Sequence, residues 1–266
     1  MTDEEIYLLV RADDIGSSQA ANRACIDVFT QGICRSVEVM VPCPWFPEAA
    51  RMLNEHPGYD VGVHLTLTSE WEGVKWGALT WAPSLTGPDG YFCPSFHRGS
   101  ADSPAFGDLD WSLAEVKAEL RAQIERCLRA LPHASHLSFH MGGASVDPRI
   151  GVLYKTLADE YGLQVDLSDF RRFRGFGEGS QRLSAAQKTA ALCANIARLT
   201  PGKWLFVEHP AYDTPESRAI GHAGYYGVAR DRHGVTAAWT HPSDQAAIKE
   251  RGIRLISYAD VKAGRP

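Results

Sequence analysis

Nowhere in the 266 residues do eighteen apolar residues run together, and the opening MTDEEIY has no basic segment leading into an apolar one. A membrane-spanning helix and a secretory leader are therefore not expected, and the sequence reads as a soluble, cytoplasmic protein with no membrane partner. Massed positive charge is missing too. Lys and Arg number 27 against 32 Asp and Glu, scattered along the chain, for a formal net charge of -5. That distribution lacks the electrostatic footprint of a nucleic-acid binder. The six cysteines, at 25, 34, 43, 93, 127 and 193, form no CxxC pair, so they are expected as reduced thiols of the core or surface. Internal repeats and low-complexity tracts are also lacking.

What is present is a regular alternation of strand-like and helix-like segments in a chain with 44% apolar residues, enough to bury a substantial core. Short apolar runs at 7–10, 36–41, 60–67, 136–139, 163–167, 204–208 and 254–257 read as strands. Between them, helical spacing appears after Ser18 and over 47–54, 112–131, 152–160, 185–199 and 242–250. Repeated β then α predicts an α/β fold, a parallel sheet forming a (β/α) barrel, closed or else incomplete and distorted, with 1–266 as one domain. The exception is 68–111, which carries Trp71, Trp76, Trp81 and Trp111 among many Gly, Pro and Ser residues. It reads as an inserted lid or binding loop.

The first strand runs into ADDIG, which puts the adjacent carboxylates of Asp13 and Asp14 where ligand sites of α/β folds gather. Turn formation, or helix capping by Asp14 or Ser17, would also place polar residues there, and position alone leaves the choice open. Two further strand ends bear on it. DVGVHLTLT holds His64, and HLSFHMGGAS holds His140 ahead of two glycines. One carboxylate oxygen with two imidazole nitrogens is a half-filled site for a divalent ion, leaving positions for water and substrate. If one aspartate ligates, its neighbour is free to act as a base. In LFVEHPAYD, His209 follows another strand and precedes Pro210, and a histidine suits proton donation to a leaving amine. His136 opens the strand leading to His140 and is a candidate to support a ligand from behind. The histidines at 56, 97, 133, 222, 233 and 241 receive no role.

In order, ADDIG, GVHLTLT, HLSFH, EHPAY and AIKERGIRLISYADV resemble the YdjC family of carbohydrate deacetylases, whose better-known members remove an acetyl group from chito-oligosaccharides. The likeness spreads over essentially the whole chain. It implies a barrel related to the polysaccharide deacetylases, a divalent ion on Asp14, His64 and His140, Asp13 as general base and His209 as acid. Zinc suits that donor set best, with magnesium, manganese and cobalt left open. The implied reaction is hydrolysis of an N-acetyl group on an amino sugar or oligosaccharide, releasing acetate. A small carbohydrate is then the partner, and a homodimer is left open. Hydrolysis of another ester, amide or phosphoester bond on the same triad, or an inactive sugar binder, are the alternatives. A phosphoesterase would call for ligands to a second ion, and an inactive binder would have lost Asp13 or His209.

Members usually read NADD and HLDSHxHxH. Here Arg11 precedes ADD, Ser138 stands where an Asp is usual, and Gly142 and Ala144 stand where later histidines are usual. Losing those histidines makes room for a bulkier sugar or for a group on a different one, and Arg11 either favours an acidic sugar or pairs with Asp13. In the insertion, Trp71, Trp76 and Trp81 are candidates to stack on a sugar ring. Trp76, between Lys75 and Gly77, is read as the exposed one.

Overall fold

In the computed structural model, which describes residues 5–97 and 104–265, the first apolar run becomes a ten-residue strand, β1 (Ile6–Ile15). Its side chains alternate. Ile6, Leu8, Val10 and Ala12 enter the main core, while Tyr7 and Leu9 join a small second cluster with Ile256 and Tyr258. Arg11 and Asp13 continue that second face by the same two-residue period, so it turns from apolar to charged toward the strand's C-terminal end.

The chain then alternates as its periodicity predicts. In order come α1 (Gln19–Thr30), β2 (Ser36–Val39), α2 (Phe46–Asn54), β3 (Asp60–Leu65), α3 (Leu113–Ala130), β4 (His136–Phe139) and α4 (Pro148–Glu160). There follow β5 (Phe170–Arg172), α5 (Ala185–Ile196), β6 (Gly202–Glu208), α6 (Pro215–Arg218), α7 (Val228–Trp239), α8 (Pro242–Glu250), β7 (Arg254–Ile256) and α9 (Tyr258–Lys262). Helix starts are marked by local chemistry: Ser18 caps α1, Asp147 caps α4 ahead of Pro148, and Ser184 forms a reciprocal cap with Gln187 on α5.

Every strand pairing is parallel, in the order β4-β3-β2-β1-β6-β5 with β7 added to β1. β1 is forked. Its residues 7–9 pair with β7, while from Arg11 onward it pairs with β2. Among the described residues β4 and β5 do not pair, so the sheet is a curled, open half-barrel, the incomplete form of the expected barrel. No described helix is long and apolar enough to cross a membrane. All six cysteines are free thiols, and burial pushes those of Cys34 and Cys127 up to about 12.

Three local expectations need correction. Residues 163–167 are not a strand. The Leu163 carbonyl accepts the Leu137 N–H, but Val165 and Leu167 then pack on the Tyr7 cluster without a ladder, and the strand forms at β5 instead. Helix α7 was not foreseen because nine of its twelve residues are buried, which leaves no polar face to reveal a period. Trp76 is not exposed: it is buried, and its indole N–H donates to the Thr68 carbonyl at 2.7 Å.

Trp71 is buried as well, and Trp81 is the exposed tryptophan of the insertion, at 90%. The insertion is a packed layer more than a loose lid. Glu119 of α3 accepts from the backbone N–H groups of Leu79 and Thr80, and Glu115 from that of Ser84. Part of the expected insertion, 98–103, lies outside the described residues.

Candidate metal centre

Adjacent residues on a regular strand point to opposite faces, so Asp13 and Asp14 could not share a site without a break in the pleat. The break is a bulge. Ala12 pairs with Val37 but Ile15 with Val39, so β1 carries one extra residue there, and Asp14 takes a left-handed φ of 73°. The turn is then locked, with the Ser17 hydroxyl donating to the Asp14 carbonyl at 2.7 Å and the Gly16 N–H to Asn22 Oδ1 at 2.7 Å. Ser18, not Asp14 or Ser17, caps the helix, so the Asp14 carboxylate is not spent on capping.

Both carboxylates reach one imidazole. His64 Nε2 lies 3.7 Å from Asp13 Oδ2 and 3.7 Å from Asp14 Oδ1. His140, at the mouth of β4, brings Nδ1 to 3.3 Å from Asp14 Oδ1. One donor atom from each of Asp14, His64 and His140 lies within 4.8 Å of the others, and all three residues are buried. Donors on a tetrahedral ion with bonds near 2.1 Å sit roughly 3.4 Å apart, so this cluster fits a small divalent cation. Asp14 Oδ1 fits that role further, being buried with the two imidazole nitrogens facing it.

The partners behind the triad are charged. Asp14 Oδ2 pairs with Arg232 Nη2 at 3.0 Å, and His140 Nε2 with Glu70 Oε2 at 3.0 Å. Burial opposes charge on His140, but the carboxylates of Glu70 and Asp14 outweigh it and raise its pKa to about 10 in the metal-free protein. His64 goes the other way. Burial first, and then the His140 charge, lower it to about 3, so it is a neutral imidazole with a lone pair to offer. Burial pushes the Asp14 carboxyl up, yet His209, Arg232 and His140 hold it well below the usual carboxylate range.

Asp13 is clamped. Arg11 donates Nε to Oδ1 at 2.7 Å and Nη2 to Oδ2 at 2.8 Å, and its remaining Nη1 goes to Tyr258 Oη at 2.9 Å. Of the two expectations for Arg11, the pairing with Asp13 is the one found. His209 follows β6, whose Glu208 is in register with Ala12 of β1. Burial lowers its pKa, and the charge of Asp14 only partly offsets that. His136 bonds to Glu38 Oε1 at 2.5 Å and not directly to any of the three ligand candidates among the described hydrogen bonds.

Sequence reading did not single out Glu38, Glu70 or Arg232. A glutamate inside the β-branched run of β2 was the one available signal. Glu70 lies on the insertion and Arg232 on the unforeseen α7, over the ring of Trp71 at 5.1 Å. Trp76 walls the centre, its ring 6.5 Å from that of His140.

Known proteins share this arrangement of chain. A carbohydrate deacetylase of Listeria monocytogenes serotype 4a is 32% identical over 261 residues, 96% of this chain and 99% of the relative. Other Listeria monocytogenes carbohydrate deacetylases match at 33% over 167 residues, so that the aligned stretch spans 63% of their length. A Thermus thermophilus carbohydrate deacetylase is 28% identical over 91% of this chain and 94% of its own. In fold, an Enterococcus faecalis protein provisionally assigned to cellobiose-phosphate cleavage superposes with a TM-score of 0.75 at 21% identity, covering 96% of this chain and 98% of that one. A family 4 carbohydrate esterase from Streptomyces lividans, in complex with acetate, gives 0.50 at 12% identity, covering 97% and 96%. The family model described as YdjC-like protein matches residues 7–250, and with that span, the near-full-length relatives and the half-barrel together, the chain belongs to the YdjC-like family.

Proposed function

We propose that the protein, acting as one unit over 1–266, is a carbohydrate deacetylase that hydrolyses an N-acetyl group of an amino sugar or oligosaccharide with a divalent ion on Asp14, His64 and His140. The observation that carries this reading is the convergence of three buried donors from separate strand ends, with Asp14 Oδ1 set 3.7 Å from His64 Nε2 and 3.3 Å from His140 Nδ1. The carbohydrate deacetylases of Listeria and Thermus among the relatives support the substrate class.

When bound, the ion would supply Lewis acidity to the acyl oxygen and the attacking water, a role for which zinc suits one carboxylate and two imidazoles. Asp13, held rigid by the Arg11 fork, takes the proton of that water. His209 gives a proton to the departing nitrogen. One water is consumed, the C–N bond breaks, and acetate and a free amine leave. The bond of Glu70 to His140 and the packing of Trp76 beside it hold that ring against rotation.

The test is acetate or phosphate release from a panel of N-acetylated, O-acetylated and phosphorylated mono- and oligosaccharides, before and after chelation and after zinc is restored. Release that chelation abolishes and zinc recovers is expected. Undiminished release from metal-free protein would refute the ion's role, and cleavage of phosphorylated or O-acetylated sugars alone would refute the amide as substrate.

A further inference from the structure

Behind His64 the sheet register assembles a polar chain that none of the roles above uses. Glu38 of β2, Gly62 of β3 and His136 of β4 stand side by side, Glu38 in register with Gly62 and Gly62 with His136. Gly62 offers no side chain between them. A Cβ there would sit 2.2 Å from Glu38 Oε2 and 2.4 Å from His136 Nε2, so the glycine is what lets the Glu38 carboxylate lie across β3. Two residues further along, His64 is in register with Ser138. The Ser138 hydroxyl lies 2.6 Å from His64 Nδ1 and makes a short hydrogen bond to Glu38 Oε2. Glu38, His64, His136 and Ser138 are all buried.

Proton inventory orients this chain. An ionised carboxylate can only accept, and serine has one hydrogen. That hydrogen goes to Glu38, so the Ser138 oxygen accepts from His64 Nδ1–H. The lone pair of His64 is then on Nε2, the nitrogen that faces Asp14 Oδ1. Burial pushes the Glu38 carboxyl up, but His136 and Arg11 outweigh it and keep it ionised.

We propose that Glu38 is a positioning residue for the metal centre: through Ser138 it fixes the tautomer and orientation of His64, so that Nε2 is presented for ligation. The proposal rests on reading Asp14, His64 and His140 as metal ligands. Partners of this kind raise ligand basicity and fix ring orientation, and losing one typically weakens metal binding roughly 10- to 100-fold.

Two readouts test it on the full chain stripped of metal. The first needs no metal: 15N chemical shifts of the His64 ring should report the Nδ1–H tautomer in wild type and a loss of that preference in Ser138→Ala. A wild-type ring found mainly as the Nε2–H tautomer overturns the proposal. The second is zinc affinity, measured by competition with a chromogenic chelator. Glu38→Gln and Ser138→Ala should each weaken it by roughly 10- to 100-fold. The exchange Glu38→Ser with Ser138→Asp, which moves the acid from β2 to β4 directly behind His64, should restore most of the loss. Should Glu38→Gln fail to fold, Ser138→Ala carries the test, because it leaves the Glu38–His136 bond in place. Wild-type affinity in a folded Ser138→Ala overturns the proposal, as does a weakened site that the exchange does not recover. A wild-type chain that takes up no divalent ion while His64 keeps its Nδ1–H tautomer would instead overturn the metal reading, and the positioning role with it.

Discussion

Asp13 and Asp14 are neighbours in sequence, yet Arg11 holds both oxygens of the first, while the second turns one oxygen to two imidazoles. If the first is the base and the second a ligand, Asp13→Asn should retain metal while turnover falls roughly 10²- to 10⁴-fold. Asp14→Asn should lose the metal, and equal metal contents in the two variants would reject the division. His140 adds a pH dependence. In the metal-free folded chain its pKa is raised to about 10, against about 6.5 when unfolded. Its charge therefore contributes stability that is fully present below about pH 6.5 and is lost as pH rises toward 10. Ligation through Nδ1 has to displace that proton. Metal affinity should accordingly climb close to tenfold per pH unit from about pH 7 to 9, with about one proton released, as calorimetry in buffers of different ionisation enthalpy would measure. A flat profile would show that His140 binds no ion there. Ser138, read in sequence as the loss of an acid, has a carboxylate directly behind it, from Glu38 on the other side of β3.

At the scale of elements, the bulge at the end of β1 and the glycine in the middle of β3 matter more than any helix. The bulge turns two consecutive side chains to one face, and Gly62 opens the gap through which β2 and β4 communicate. The insertion after β3 shows how a segment with only two short 3-10 turns and one isolated bridge among its described residues can still be core. Trp76 is buried and bonded to the Thr68 carbonyl, whereas Trp81 is 90% exposed. Trp76→Ala should cost about 3–5 kcal/mol, lowering Tm by roughly 6 to 20 °C. Trp81→Ala should change stability by no more than about 0.5 kcal/mol. Thermal scans of the two variants give the comparison, and equal, small shifts would mean that the insertion does not pack as a core layer.

For the whole molecule, the donor cluster from β1, β3 and the end of β4 exists only when the half-barrel is folded, so the proposed metal binding would be linked to folding. At a hundredfold excess over Kd, zinc should add about 2.7 kcal/mol of stability, raising Tm by several degrees in calorimetry of stripped protein. A Tm unmoved by zinc would argue against a site built across strands. The strands and most helices were readable because hydrophobic period is a property of a contiguous segment, and Asp14, His64 and His140 could be singled out as candidates because they lie in or just after apolar runs, with Asp14 chosen over Asp13 by the family resemblance. The sequence by itself thus determined the alternation of elements, the parallel sheet and the polar residues set at its strand ends. Only the tertiary structure decided that β4 and β5 stay apart, that Glu70 and Arg232 stand behind the ligand candidates, that α7 is core, and that Glu38 reaches Ser138 across Gly62. These depend on register between strands far apart in the chain and on which surfaces a segment meets after folding, and neither leaves a period in the local sequence.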